Sequence, residues 1–180
     1  MAMKASELED FVNEAIANGW PDNTAARTDD DFPKFYGGTY RRDGWRCLDV
    51  WSGATTDAGM LVVFLDEAPV WTCTYRGGVL ESSRHSEHTS IAENKLFDFL
   101  VQALRTPHRA SFRLRGPEEL KSADGRWRYS YQLRGDVESF VATERIEEDG
   151  DLAYERILIG GCVGDGVAYG SGPLGWDESR

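Results

Sequence analysis

Apolar residues recur at the three- and four-residue spacing of an amphipathic helix in two stretches of the chain. In the first stretch the apolar stripe consists of Leu8, Phe11, Val12, Ala15 and Ile16. Ser6 and Glu9 have the spacing of a capping box, and Asn18-Gly19 offers the left-handed residue that ends many helices. The pattern therefore predicts a helix over about 7–18.

The second helical stretch follows the same plan, with an apolar stripe of Leu96, Phe99, Leu100, Ala103 and Leu104. Ser90 and Glu93 form a second capping box before the stripe. Thr106 and Pro107 end it, because proline cannot continue a helix. The two stripes predict two similar amphipathic helices, each with one face turned towards a core.

Elsewhere apolar and polar residues alternate with the period of two that is typical of β-strands. The alternation predicts a short strand or bend at 35–40 and strands at 45–52, 60–65, 70–76, 111–115, 127–134, 140–146 and 152–159. Asp-Gly pairs at 43–44, 124–125 and 149–150 predict tight turns. Gly77-Gly78 and Gly160-Gly161 are expected to close the two sets of strands.

One nine-residue strand pattern occurs twice, which predicts an internal duplication. The stretches 45–53 and 127–135 both begin Trp-Arg and end in Gly. We predict an α+β fold in which one helix followed by four antiparallel strands is repeated, giving a curved antiparallel sheet with two helices and pseudo-twofold symmetry. The expected organisation is one domain over 1–180, with repeats at about 6–80 and 90–163 and a Gly-rich tail at 164–180.

The charge balance narrows the possible partners. The net charge of −11, from 31 acidic and 20 basic residues, opposes direct nucleic-acid binding. No apolar run reaches ~18 residues, and the charged start of the chain is not a signal peptide, so we expect a cytoplasmic protein without a membrane segment. Sixteen of the bases are arginine, and such an acidic, lysine-poor composition also suits a halophilic source.

Metal and cofactor chemistry find little support in the sequence, and we expect neither. The three cysteines, Cys47, Cys73 and Cys162, are widely spaced and are expected to be small buried side chains. His85 and His88 lie in a polar stretch without the helix that zinc motifs use. The acidic run at 29–31 sits in a predicted loop over 19–34 and is expected to be a solvated acidic surface.

The aromatic face of the strands is the candidate ligand site. By alternation it gathers Trp45, Asp49, Trp51, Trp71, Tyr75, Trp127, Tyr129, Tyr131, Glu144, Tyr154 and Arg156. Small-molecule sites are mostly apolar with a few placed polar groups, and carboxylates among aromatic rings suit a cationic or amine-bearing ligand. The alternative interpretation of the same rings is a plain aromatic core.

Three functional hypotheses follow from the residues. The first is a non-catalytic domain that senses a small molecule or binds a partner; its oligomeric state is not encoded in any motif. The second is an acid-base enzyme in which Asp49 and Glu144 meet as a carboxylate pair, although no known catalytic motif is present and no catalytic residue is assigned. The third is a protein-interaction module that uses its acidic surface.

The chain also resembles a prokaryotic domain family of unknown function, some of whose members follow an XRE-type helix-turn-helix. The residues that carry the resemblance, by order and spacing, are Tyr36-Gly37-Gly38, the strand ending at Gly53, Pro69-Val70-Trp71, Tyr75-Arg76-Gly77, Arg115-Gly116-Pro117, Glu144, Tyr154 and Gly160-Gly161. The resemblance covers about 7–163. It implies this fold and a loose association with transcriptional regulation, and no catalytic residues. The chain departs from it in lacking a helix-turn-helix and in the insert at 81–90.

Overall fold

The computed structural model describes residues 3–19, 26–27, 35–53, 55–80, 89–106, 112 and 114–163. Their elements are α1 (Ala5–Gly19), β1 (Ala26–Arg27), β2 (Phe35–Arg42), β3 (Trp45–Gly53), β4 (Thr56–Leu65), β5 (Ala68–Val79), α2 (Thr89–Arg105), β6 (Glu119–Lys121), β7 (Trp127–Gly135), β8 (Ser139–Glu148) and β9 (Asp151–Cys162). The acidic run at 29–31, His85, His88 and the tail lie outside the described residues.

The strands form one antiparallel sheet in the order β1-β2-β3-β4-β5-β9-β8-β7-β6, and the sheet is not closed. The prediction of an α+β fold with two helices is therefore confirmed. Strands β1 to β5 form one side of the sheet and β9 to β6 the other. They join at the β5–β9 pair, where Trp71 lies opposite Cys162 and Val79 opposite Tyr154. The duplication itself, with its two repeats, stays a prediction.

Both predicted helices are present, but each begins before the serine of its predicted capping box, since α1 starts at Ala5 and α2 at Thr89. The backbone N–H groups of Glu7 and Leu8 donate to the carbonyl oxygen of Lys4, so the helix starts before Ser6 and the predicted Ser6 cap is wrong. The apolar stripe faces the core as predicted, and its first member, Leu8, is fully buried. Helix α2 ends at Arg105, as predicted.

The glycine pairs do not close the strands, contrary to expectation. Gly77 and Gly78 lie inside β5, and Gly160 and Gly161 lie inside β9. A Cβ on Gly77 would stand 2.1 Å from the carbonyl oxygen of Glu155, so glycine is needed for the strands to approach. Strand β4 also begins at 56 rather than at 60.

The predicted strand at 111–115 is wrong. The described residues 112 and 114–116 have no strand conformation. Leu114, Arg115 and Gly116 are buried one after another, which an alternating strand on a sheet face does not allow. The short strand β6, which was not predicted, follows this irregular stretch.

The helices cover one face of the sheet, here called the inner face, and the opposite side is the outer face. Phe11 of α1 stacks on Trp45 of β3 at a centroid distance of 5.2 Å. Phe99 of α2 lies 6.4 Å from Trp127 of β7. Neither described helix has the length and apolar composition that a membrane crossing needs.

Candidate functional site

Most of the predicted aromatic residues are part of the core. Seven of the eight are buried and only Trp51 is half-buried. The indole N–H of Trp71 donates to the carbonyl oxygen of Val137 at 2.8 Å, and its ring stacks on Phe140. Together with the Phe11–Trp45 and Phe99–Trp127 contacts, this packing gives Trp45, Trp71 and Trp127 a structural role.

Charged side chains lie among these rings on the inner face. We call them, with the tyrosines that bond or pack against them, the polar cluster: Asp49, Asp57, Arg115, Glu144, Arg156, Tyr75, Tyr129 and Tyr154. Arg115, Glu144 and Arg156 are the buried charged residues of the described chain. Burying charge costs free energy unless every group is paired, so the pairing decides what the cluster can do.

Glu144 is fully paired. Its side chain is 0% exposed and accepts two hydrogen bonds from Arg115, at 3.0 and 3.2 Å. The hydroxyls of Tyr129 and Tyr154 donate to the same carboxylate at 2.9 and 3.2 Å. Burial raises the pKa of Glu144, but the guanidinium groups and hydrogen bonds outweigh it and hold that pKa below its usual value. Glu144 is therefore an anchor of the core that is ionised at neutral pH.

Arg156 forms the second ion pair. Its Nη2 donates to both carboxylate oxygens of Asp57 at 2.7 Å. The guanidinium packs over the rings of Tyr75 and Tyr154, with centroid distances of 4.9 and 5.5 Å. Gly77, which lies between Asp57 and Arg156 in register, leaves space for this contact.

Asp49 is the exception in the cluster, because no cation pairs with it among the described residues. The hydroxyl of Tyr75 donates to its Oδ1 at 2.8 Å. Burial raises the pKa of Asp49 to about 6, against the lowering effect of that hydrogen bond and of Arg115 and Arg156. With every acidic and basic group of the polar cluster ionised, its three carboxylates and two guanidinium groups leave one negative charge in excess. That charge resides on Asp49.

Glycine at position 59 allows the contact between Asp49 and Tyr75. A Cβ on Gly59 would stand 2.3 Å from the Tyr75 hydroxyl oxygen and 2.4 Å from the adjacent ring carbon. The ring of Tyr75 thus lies across Gly59 and reaches from β5 to Asp49 on β3. Trp51 stands opposite Gly59 on its other side in register, so an aromatic ring flanks this position from each strand.

Asp49 and Glu144 do not bond to each other in the structure. Glu144 is saturated by Arg115 and two tyrosines, whereas Asp49 bonds to Tyr75. The main influences on the pKa of each carboxyl group are burial, the guanidinium groups of Arg115 and Arg156, and hydrogen bonds from neighbouring side chains. The pair does not share a proton in this arrangement.

Two members of the cluster were missed by sequence reasoning. Asp57 was overlooked because the strand was expected to begin at residue 60, three residues after it. Extending the alternation of Leu61 and Gly59 backwards reaches Asp57. Arg115 comes from an irregular segment, 29 residues away from Glu144 in the chain. No local periodicity predicts such a contact. An arginine followed by Gly-Pro was the sole signal, and it indicates only an irregular backbone.

Metal ligands are not gathered anywhere in the described part of the chain. No group of three or more His, Cys, Asp or Glu side chains there has the arrangement of a metal site. Cys47 and Cys73 are buried, Cys162 is half-buried, and all three are free thiols. Burial raises the pKa of the Cys47 and Cys73 thiols to about 12, so neither is a reactive thiolate at neutral pH.

Comparison with known proteins places the chain in a family without assigning it an activity. No curated protein and no solved structure matches it. The match to a family begins at Asp49 and ends one residue after β9, so it contains the whole polar cluster. Residues 49–163, more than half of the chain, match this family, and the protein therefore belongs to the domain of unknown function DUF5680.

Proposed function

We propose that this domain is a non-catalytic binding module whose ligand is a small molecule with a cationic or amine group, held by Asp49. The observation that carries the proposal is the uncompensated carboxylate on the inner face. Arg115 and Arg156 each have an acidic partner, whereas Asp49 has no basic partner among the described residues. A cation at Asp49 would balance the charge of the cluster and recover the free energy that burial costs.

The surroundings of Asp49 favour an organic cation. Trp51 follows it on the same face of β3, and Tyr75 bonds to it from β5. Aromatic ring faces attract positive charge, with a strength of about 0.5–2 kcal/mol depending on how far the cation is desolvated. An ammonium or guanidinium group with an apolar body would use the carboxylate and the rings together.

The proposal also covers regulation. The resemblance described above implies that related prokaryotic domains work beside an XRE-type DNA-binding module. We propose that the ligand-bound state of this domain is read by such an associated regulator. The net charge of −11 makes a separate module, rather than this chain, the element that would contact DNA.

Acid-base catalysis has less support. A catalytic pair needs two carboxylates that reach one substrate, with one of them free to exchange a proton. Glu144 is enclosed by four hydrogen bonds, and its pKa is held below the usual value. Asp49, with a pKa of about 6, would act without that partner.

The test is a binding assay with simple cations. Thermal unfolding of the protein is followed at pH 8 with putrescine, agmatine and choline as probes, and with acetate as the anionic control. We expect a concentration-dependent rise in melting temperature with at least one cation, and no rise for Asp49→Asn, because the uncharged amide cannot balance the ligand. Absence of a response to every cation, or an equal response in Asp49→Asn, would overturn the proposal.

A further inference from the structure

The two carboxylate oxygens of Asp49 have different surroundings. The hydroxyl of Tyr75 donates to Oδ1 at 2.8 Å. In the part of the chain that the structure describes, no donor bonds to Oδ2, and Oδ2 is not one of the fully enclosed polar atoms that lack a hydrogen bond. Asp49 as a whole is half-buried. Oδ2 is therefore the oxygen that a ligand can reach.

The ring of Tyr75 is fixed in its position by the residues around it. The residue is only 7% exposed, and its hydroxyl end lies directly over Gly59, which has no side chain to displace it. The guanidinium of Arg156 lies 4.9 Å from the ring centroid. Asp57 in turn holds that guanidinium with two hydrogen bonds of 2.7 Å. Tyr75 keeps this position when a ligand arrives, so Oδ1 of Asp49 stays occupied.

A carboxylate with one open oxygen distinguishes between two kinds of organic cation. A guanidinium group presents parallel N–H donors in a rigid plane, and it pairs best with both oxygens of a carboxylate. An alkylammonium group is a compact point charge that can donate to a single oxygen. At Asp49 the hydroxyl of Tyr75 already occupies one oxygen. A guanidinium would therefore lose one of its two bonds, whereas an ammonium would lose none.

We propose that the ligand of this domain binds through an alkylammonium group and not through a guanidinium group, and that Tyr75 sets this specificity by occupying Oδ1 of Asp49. The inference rests on the proposed function, because it names the class of cation that the same carboxylate holds. Trp51 is a half-buried ring that follows Asp49 on the same strand face, and it supplies an apolar contact for the alkyl chain. Asp49 provides the charge, and Tyr75 is the specificity-determining residue.

The test compares butylamine with butylguanidine, which carry the same alkyl chain and the same single positive charge at pH 8. NMR titration of the full chain gives the dissociation constant of each, with butanol as the uncharged control. In the wild type butylamine should bind roughly tenfold more tightly, which corresponds to about 1.4 kcal/mol. Tyr75→Phe frees Oδ1 and keeps the ring, so butylguanidine should then bind at least as tightly as butylamine. Because both probes meet the same Asp49, its protonation cancels from the ratio.

The matched control is Tyr40→Phe, which also removes a tyrosine hydroxyl that donates to a carboxylate, here that of Glu14 outside the polar cluster. It should keep the wild-type preference. Equal or reversed affinities in the wild type would overturn the inferred specificity and leave the proposed cation site standing. So would a preference that survives Tyr75→Phe, or one that is lost equally in Tyr40→Phe. If neither cation binds the wild type, the proposed function fails, and this inference fails with it.

Discussion

Replacing Asp49 by asparagine should make the protein more stable at neutral and alkaline pH, which is unusual for a polar residue with a partly buried hydrogen bond. The pKa of Asp49 rises from 3.8 to about 6 in the fold, because burial disfavours its charge. Each pKa unit corresponds to 1.36 kcal/mol, so ionised Asp49 lowers the free energy of unfolding by about 3 kcal/mol above pH 6. Asparagine has no charge to bury and can still accept the hydrogen bond from Tyr75.

The sign of the pH dependence follows from the direction of that shift. The folded-state pKa lies above the unfolded one, so the stability that protonated Asp49 contributes is complete below pH 3.8 and is lost as the pH rises through about 6. Asp49→Asn should therefore gain about 1–3 kcal/mol at pH 8 and close to nothing at pH 4. The range allows for the free energy of burying the new amide.

Urea denaturation of both proteins, followed by tryptophan fluorescence at pH 4 and pH 8, measures this difference. Asp57→Asn is the matched control, because it removes a carboxylate from the same cluster but leaves Arg156 without its anion. That variant should lose about 3–5 kcal/mol at pH 8, the usual effect of breaking a buried pair. The reasoning is refuted if Asp49→Asn is less stable than the wild type at pH 8, or if its gain does not depend on pH.

Other consequences of the cluster can be measured separately. Arg115→Met should lower the free energy of unfolding by about 3–5 kcal/mol, because Glu144 would be left as a buried charge; a loss below ~1 kcal/mol in urea denaturation would contradict the pairing. Tyr75→Phe should raise the pKa of Asp49 above its wild-type value of about 6, since a hydrogen bond that lowers this pKa is removed. An unchanged pKa in a carboxyl NMR titration would contradict this prediction. Gly77→Ala should cost at least ~2 kcal/mol, because its Cβ would meet the backbone of β9 at 2.1 Å, and an unaltered thermal melt would count against that close approach.

The increase in stability expected from Asp49→Asn bears on the function of this residue. A residue that lowers the stability of the domain without being needed for its packing is typical of a binding or catalytic position. Glu144 is the contrasting case, because all of its hydrogen-bonding capacity serves the core. Asp49 and Glu144 were equivalent candidates for a site in the sequence. They differ in the structure because Glu144 is paired with Arg115, whereas Asp49 bonds to Tyr75.

Alternation along the strands predicted much of the inner face. The period of two placed Glu144 and Arg156 beside the aromatic residues of the same face, where the structure also has them. The Asp-Gly turns at 43–44 and 149–150 are present, with positive φ at both residues of each pair. These features depend on neighbours in the chain, which is why a sequence can specify them.

The pairing within the cluster depends on contacts between distant residues and was not predictable in this way. Arg156 reaches Asp57 across 99 residues, and its route passes over Gly77, which sequence reasoning had assigned to the end of a strand. Arg115 comes from a segment that resembles a strand in composition but has no strand conformation at residues 112 and 114–116. The glycine pairs were misjudged for a related reason: their role is close approach of neighbouring strands, and that role is set by the partner strand.

The most direct test of the account is the pKa of Asp49 in the free protein. Carbon-13 NMR of the side-chain carboxyl groups, titrated from pH 3 to pH 9 and assigned by comparison with Asp49→Asn, gives this value. We predict that Asp49 titrates with a midpoint of about 6, because it is largely buried and has a tyrosine hydroxyl instead of a cation as its partner. A midpoint at or below the ordinary aspartate value of about 3.9 would contradict it, since Asp49 would then already be compensated and would have no need of a cationic ligand.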